Sequence, residues 1–267
     1  MKLIVCDIDN TLLKMGETKF KKEVIDTINK LLLEGHAFCL ASGRPFLGIK
    51  KYLDIFVPGK KFAICGNGAV VYDYNHNLIN ETAMKLQDFY ELYDKYYRDD
   101  ITFYAYDDKN NLLVFKEDKY TDYEVQENKI IKVFDINNRD NFDKNLKIHK
   151  IMFACDESIN KNLKLSDEEL KRFSTSRSSS YYFEILANNA SKGHQVEKLR
   201  SYLGIDRNEV FTFGDNTNDL TMIEMFNGVA VNNAVDEVKT KAKYITKSVE
   251  EIGFVYAIYE ILKILEK

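Results

Sequence analysis

Basic charge, paired cysteines and long apolar runs are all scarce in this chain, and each scarcity narrows what it can do. Thirty-eight lysines and arginines stand against 42 aspartates and glutamates, a net charge of -4. The basic excess of a general nucleic-acid binder is missing. No apolar run approaches the roughly 20 residues needed to cross a bilayer, so no membrane association is expected. The N-terminus reads as a strand with an acidic cluster, not a charged n-region and an apolar h-region, so no secretory signal is expected. The four cysteines, Cys6, Cys39, Cys65 and Cys155, form no CxxC pair and lie in apolar, strand-like surroundings. That argues for buried, reduced thiols in a cytoplasmic protein rather than a disulfide framework or a zinc site. His36, His76, His149 and His194 show no ligand spacing and are read as surface or structural. There is no internal repeat and no low-complexity segment.

What is present is an ordinary soluble composition, 45% hydrophobic and 30% charged, over 267 residues, a length comfortable for two domains. The apolar run Leu3-Ile4-Val5-Cys6 predicts a buried strand, and Asp7-Ile8-Asp9-Asn10-Thr11 follows it. Phe20 to Glu34 carries helical spacing, with Gly35 as its stop. Ala37–Leu40 predicts a second strand ending in Ser42-Gly43-Arg44, then a helix from Pro45 to about Leu53. Phe62–Cys65 predicts a third strand, ending in Gly66-Asn67-Gly68-Ala69, with another strand at Val70–Tyr72. Alternating strand and helix means α/β layering with parallel pairing.

From about Thr82 the character changes. An aromatic-faced helix over Leu86–Tyr97 is followed by strands at Ile101–Ala105 and Leu112–Phe115, an Asn-rich loop over Ile136–Asn145 and a strand at Ile148–Cys155. Ser166 and Glu169 predict a capping box opening a helix to Phe173, and Ser174–Arg177 with Tyr181–Ile185 a hairpin. This is α+β character inserted in an α/β chain, so residues 82–188 are expected to form a second domain between core segments 1–81 and 189–267. The alternation resumes with a helix from Lys192 to Leu203, a strand at Val210–Phe213 and the cluster Gly214-Asp215-Asn216-Thr217-Asn218-Asp219. A helix to Phe226, a strand at Gly228–Val231, a helix near Val235–Ala242 and a strand at Tyr244–Thr246 follow. A terminal helix opened by a Ser248/Glu251 capping box closes the chain.

The polar clusters fall where parallel strands end, the edge at which such sheets bind ligands. Asp7, Asp9 and Asp215 would repel one another without compensation. An oxygen-only set calls for a hard cation, and Mg²⁺ is the natural choice. Ser42, Lys192 and the Asn218 amide are donors suited to phosphoryl oxygens. Lys192 opens a helix against the macrodipole, which implies an anionic partner. Each residue also has a plainer reading. Ser42 could cap the helix near Pro45, Arg44 could be a surface arginine, Asn67 a turn residue, and Asn218 and Asp219 could open the next helix.

The combination resembles the haloacid dehalogenase superfamily, in particular its Cof-type phosphatases with a large α/β cap. DIDNTLL is similar to the family's first motif, ASGR to the second, Ser191-Lys192-Gly193 to the third and GDNTNDLTM to the fourth; GNGA at 66–69 and GVAVNNAVDEVKTKA also look like this subfamily. The departure is Asn10 in place of the usual glycine, and asparagine tolerates unusual backbone angles better than most residues. The resemblance implies a Rossmann-like parallel-sheet core with an inserted α+β cap. It implies Asp7 as nucleophile, Asp9 as general acid and base, and Mg²⁺ on the Asp7 and Asp215 carboxylates and the Asp9 carbonyl. Asp219 would support the metal site directly, or through water or Lys192. Ser42 and Asn218 would bind the phosphoryl group, Lys192 would balance charge, and Gly43, Arg44 and Asn67 would line the phosphate or substrate mouth. The implied activity is Mg²⁺-dependent hydrolysis of a small phosphorylated metabolite, a sugar phosphate first, through an aspartyl-phosphate. Rival readings are a phosphotransferase or phosphomutase, and a phospho-acceptor signalling module without turnover. The oligomeric state is left open.

Overall fold

A computed structural model of the chain describes residues 1–133, 135–139 and 143–266. The loop expected over Ile136–Asn145 falls outside the described residues at 140–142. The chain divides into two compact units, Met1–Glu81 with Ser191–Lys267, and Thr82–Ala190.

The first unit opens with β1 (Leu3–Cys6), every residue of which is buried. In α1 (Lys22–Leu33) one face, Val24, Ile28, Leu31 and Leu32, is buried, and Gly35 ends the helix at φ 83°. β2 (Ala37–Ala41), α2 (Phe46–Leu53) and β3 (Lys60–Cys65) continue the alternation. Then the direction reverses. β4 (Val70–Asp73) pairs antiparallel with β3, and β5 (Leu78–Glu81) antiparallel with β4. β5 is half exposed, and its mixed polar sequence gave no strand signal.

The second unit is a sheet with helices. β6 (Met84–Lys85) leads into α3 (Leu86–Tyr96), which buries Leu86, Phe89, Tyr90 and Leu92. β7 (Thr102–Asp107) and β8 (Asn111–Val114), the two strands expected here, pair as an antiparallel hairpin. The Asp107 carboxylate closes its turn by accepting from the backbone N–H of Lys109 at 2.9 Å and of Asn111 at 2.7 Å. α4 (Lys119–Asn128) and β9 (Ile131–Val133) come next, β9 parallel to β8. The sequence reading placed no helix here, because the buried positions of α4 are the polar Thr121, Glu124 and Asn128, which leave no apolar stripe to read.

β10 (Lys147–Ala154) is the central strand of this unit, paired with β7, β12 and β6. Two one-turn helices follow, α5 (Glu157–Asn160) and α6 (Asp167–Leu170). The Ser166/Glu169 capping box is formed, but the helix it opens ends at Leu170, not at Phe173. Phe173 instead begins β11 (Phe173–Ser179), antiparallel to β12 (Tyr182–Ala187). The strand keeps Phe173 because its ring is buried in a core with Phe89, Phe103, Phe153 and Phe183.

The chain returns to the first unit with α7 (Lys192–Leu203), ended by Gly204 at φ 66°. β13 (Val210–Gly214), α8 (Leu220–Met225), β14 (Asn227–Ala230), α9 (Asp236–Lys241) and β15 (Tyr244–Ile245) complete its sheet, ordered β15-β14-β13-β1-β2-β3-β4-β5. β1 pairs in parallel with both β13 and β2. From β1 the chain builds outward through β2 and β3, and later in the other direction through β13 and β14. The ends of β1 and β13 therefore sit where the winding reverses, the point at which open α/β sheets bind ligands.

The terminal helix starts later than expected. Ser248 and Glu251 do make reciprocal bonds, Ser248 N–H to Glu251 Oε2 and Glu251 N–H to Ser248 Oγ, each 3.3 Å. Ile252 then takes φ 58°. The box closes a single turn, and α10 (Gly253–Tyr256) begins after it, running on into a π-helical turn at Ala257–Ile261.

Candidate active site

Asp7 follows the last residue of β1, and its backbone N–H donates to the Phe213 carbonyl at 3.0 Å, prolonging the pairing with β13 by one step. Its side chain is buried. Asn10, three residues on, has φ 59°. This is the left-handed geometry that makes glycine usual and asparagine tolerable at such a turn. The turn is held from both sides: Asn10 Oδ1 accepts from Met15 N–H at 3.1 Å, and the Asn10 carbonyl accepts from Asn233 Nδ2 at 2.8 Å.

Lys192 is the first residue of α7. Ser191 caps the helix by accepting from His194 N–H at 3.3 Å, and Gly193 donates its N–H to Thr221 Oγ1 at 3.0 Å. A Cβ on Gly193 would stand 2.5 Å from the Thr221 carbonyl carbon, so glycine is what lets the start of α7 lie on α8. The Lys192 ammonium is fully buried. It donates to Asp7 Oδ1 and to Asp219 Oδ1, both at 2.6 Å. These two carboxylates are the anionic partners that offset a cation at a helix N-terminus. Burial works against the charge of Lys192, but Asp219 and Asp7 outweigh it and hold its pKa above the ordinary lysine value.

Asp219 spends its other oxygen on backbone, Oδ2 accepting from Asp215 N–H at 2.9 Å and from Asn216 N–H at 3.2 Å. Asn216 caps the one-turn helix over Thr217–Asp219; Asp219 stands at the N-cap position of α8, as its plainer reading had it, but makes no capping bond there with its side chain. Thr11 donates to Asp215 Oδ1 at 3.0 Å, and the Asp215 carbonyl accepts from Val235 N–H at 2.9 Å. Oxygens of Asp7, Asp215 and Asp219 come within 4.8 Å of one another. Three carboxylates around one ammonium leave an excess of negative charge in a buried place. Burial above all, then Asp219 and Asp215, push the Asp7 carboxyl up against the opposing pull of Lys192. Burial, then Asp219, push Asp215 up to about 7. An oxygen-only, electron-rich cluster of this kind fits a hard divalent cation.

Asp9 faces elsewhere. Its carboxylate accepts from Arg44 Nε at 3.3 Å and from an Arg44 Nη at 3.1 Å. Arg44 is therefore not an isolated surface arginine. Ser42 is buried; its Oγ accepts from Arg44 N–H at 3.3 Å. It does not cap α2, whose N-cap position is Pro45 with no side-chain bond. Asn67, at φ 55°, donates its N–H to the Ser42 carbonyl at 3.0 Å and accepts from Asn218 Nδ2 at 3.1 Å. Gly43 lies against the same Asn67 amide.

The structure thus groups the sequence candidates in three sets: Asp7, Asp215, Asp219 and Lys192 in one buried cluster; Asp9 with Arg44; Ser42, Gly43, Asn67 and Asn218 together. Sequence reading missed Thr11, Thr221 and Asn233 as supports. All three lie inside the motif segments, Thr11 in the first, Thr221 in the fourth and Asn233 in the stretch after it.

The haloacid dehalogenase-like hydrolase family profile matches residues 4–258. This chain belongs to that family. Among its relatives, the Bacillus subtilis protein YxeH is 32% identical, with 98% of each chain covered. The 5-amino-6-(5-phospho-D-ribitylamino)uracil phosphatases YwtE and YitU of Bacillus subtilis are 28% and 27% identical, covering 98% and 94% of each chain. In three dimensions this hydrolase is similar to a haloacid dehalogenase-like hydrolase from Bacteroides thetaiotaomicron, with TM-score 0.82 and 25% identity over 97% of this chain and 99% of that one. It shares its fold with the subclass IIB sugar phosphatase BT4131, TM-score 0.77 at 18% identity over 98% of this chain and 100% of that one.

Proposed function

We propose that this hydrolase is a Mg²⁺-dependent phosphatase that cleaves a small phosphorylated metabolite, a sugar phosphate or phosphorylated sugar alcohol, through an aspartyl-phosphate on Asp7. The observation that carries the reading is the buried Asp7–Lys192–Asp219–Asp215 cluster at the point where the sheet reverses its winding.

In this reading a carboxylate oxygen of Asp7 attacks phosphorus. The bond from phosphorus to the leaving oxygen breaks with both electrons on that oxygen, which takes a proton from Asp9. Water then attacks the phosphoryl-aspartate, giving its proton to Asp9, and phosphate leaves with Asp7 restored. Lys192 keeps Asp7 fixed and offsets its charge. Ser42 and Asn218 donate to phosphoryl oxygens. Asp7 and Asp215 carboxylates and the Asp9 carbonyl would hold Mg²⁺, which when bound offsets the repulsion between carboxylate and phosphoryl group. Asp219 has both oxygens engaged and orients Lys192 and the 215–216 backbone instead of ligating. The Arg44 pair with Asp9 must exchange for the leaving oxygen before Asp9 can give up a proton.

These core residues handle the phosphoryl group and the leaving oxygen but nothing beyond it, so we assign the choice of leaving group to the unit over 82–190. The sugar class is supported by YwtE and YitU, whose named substrate carries its phosphate on a ribityl chain. A screen of phosphorylated sugars, sugar alcohols and cofactors tests the proposal. Phosphate release from a sugar or sugar-alcohol ester, abolished by chelator and restored by Mg²⁺, is expected. Release that chelator leaves untouched, or activity confined to diesters, contradicts it.

A further inference from the structure

Asn67 touches both residues that this phosphatase reading gives to the phosphoryl oxygens. Its backbone N–H donates to the Ser42 carbonyl at 3.0 Å, and its side-chain Oδ1 accepts from Asn218 Nδ2 at 3.1 Å. It is 5% exposed. From this geometry we infer that Asn67 is a positioning residue that locks the Asn218 amide with its nitrogen toward the phosphoryl site, and that Gln195 holds the loop that carries it.

The argument is one of amide chemistry. An asparagine amide presents an acceptor oxygen and a two-hydrogen donor, and a half-turn about its last bond exchanges them. Presented oxygen-first, Asn218 would repel a phosphoryl oxygen. One of its two N–H bonds is satisfied by Asn67 Oδ1, so turning the Asn218 amide alone would set two amide oxygens against each other, and the second hydrogen is left for the ligand. The amide of Asn67 is itself pinned. A Cβ on Gly43 would lie 3.1 Å from Asn67 Nδ2 and 3.2 Å from Oδ1, so the amide packs on bare backbone.

The loop beneath has an unusual backbone. Gly66, Asn67 and Gly68 all have positive φ, 56°, 55° and 101°; the glycines adopt it freely, but at Asn67 it persists only when its surroundings over-determine it. They do. Gly66 N–H donates to the Arg44 carbonyl at 3.1 Å. The Gly68 carbonyl accepts from Gln195 Nε2 at 3.1 Å, and Gln195 Oε1 accepts from Asn80 Nδ2 at 2.9 Å. Gln195 is on α7, one turn beyond Lys192, and is 1% exposed. The same helix therefore anchors the ammonium beside Asp7 and the loop behind Asn218.

This inference rests on the phosphatase reading, and the test separates the two. p-Nitrophenyl phosphate turnover with Mg²⁺ and its competitive inhibition by inorganic phosphate are measured for the wild type, Asn67→Gly, Asn218→Ala and the double variant. Glycine accepts the positive φ, so the fold is kept while the acceptor is lost. Asn67→Gly is expected to raise both KM and the phosphate inhibition constant about tenfold with kcat within about twofold of wild type and an unchanged melting temperature. In the Asn218→Ala background it is expected to change neither constant further. Gln195→Met, which deletes the support without touching Asn67, is expected to move both constants in the same direction. An unchanged inhibition constant in Asn67→Gly, or effects of Asn67→Gly and Asn218→Ala that simply add, overturns the positioning role and leaves the phosphatase reading standing. A wild type with neither turnover nor phosphate binding overturns both.

Discussion

At the scale of single residues, the centre rests on Lys192 lying between Asp7 and Asp219. Removing one member of a buried charged set leaves the others uncompensated, at a cost of about 3–5 kcal/mol. Lys192→Met is therefore expected to lower urea stability by that order and to abolish turnover. Adding Asp219→Asn to Lys192→Met is expected to recover part of the stability, because one of the two stranded carboxylates is gone, but none of the activity. Equal stability of Lys192→Met and wild type would mean that the ammonium does not compensate these carboxylates. Much of this centre was legible in the sequence. Asp7, Asp215 and Lys192 stand at strand ends or a helix start, where position alone brings them to one edge. What was not legible is how each side chain spends its bonds. Nothing in the spacing tells that Asp219 turns both oxygens inward, or that Arg44 takes the Asp9 carboxylate.

At the scale of elements, local signals succeeded where a cap or an apolar stripe was strong and failed where packing overrode them. Gly35 ends its helix as read, and α7 stops at Leu203 as read, with Gly204 as its cap. The Ser248/Glu251 box formed but closed only one turn, because Ile252 takes a left-handed conformation that no sequence pattern announces. α4 was missed since its inward face is polar. Glu169 shows what a good cap contributes. It accepts from Ser166 N–H at 2.8 Å, Lys95 Nζ at 2.8 Å and Tyr96 Oη at 2.6 Å. Burial alone would raise its pKa, but the bonds from Lys95, Tyr96 and Ser166 prevail and bring it down to about 2. A carboxyl depressed in the folded state stabilises above its unfolded pKa of about 4.3 and loses that contribution as pH falls toward the folded value. Glu169→Gln keeps a capping oxygen acceptor for Ser166 N–H and loses the charge. It is expected to cost about 1–2 kcal/mol at pH 7, allowing for the half-exposed Lys95 partner, with the gap to wild type narrowing below about pH 4. Thermal melts of the two proteins at a series of pH values check this. A gap that widens on acidification contradicts the sign.

At the scale of the whole molecule, the alternation of strand and helix at both ends of the chain announced the parallel sheet, and the loss of that alternation after Thr82 announced α+β character. β4 was read as a strand, but its antiparallel direction was not, and β5 was hidden because Leu78–Glu81 is short, mixed in polarity and half exposed. The sheet collects residues 7, 42, 67, 192, 215 and 218 from segments far apart in the chain, and their joint chemistry depends on Asp7 acting as the nucleophile. The direct measurement is mass spectrometry of acid-quenched Asp9→Asn protein after incubation with Mg²⁺ and a hydrolysable phosphomonoester. With the acid and base role blocked at the second step, a phosphoryl adduct is expected on the peptide that contains Asp7, and none is expected when Asp7→Asn is added. An adduct on another residue, or turnover that persists in Asp7→Asn, would contradict the mechanism.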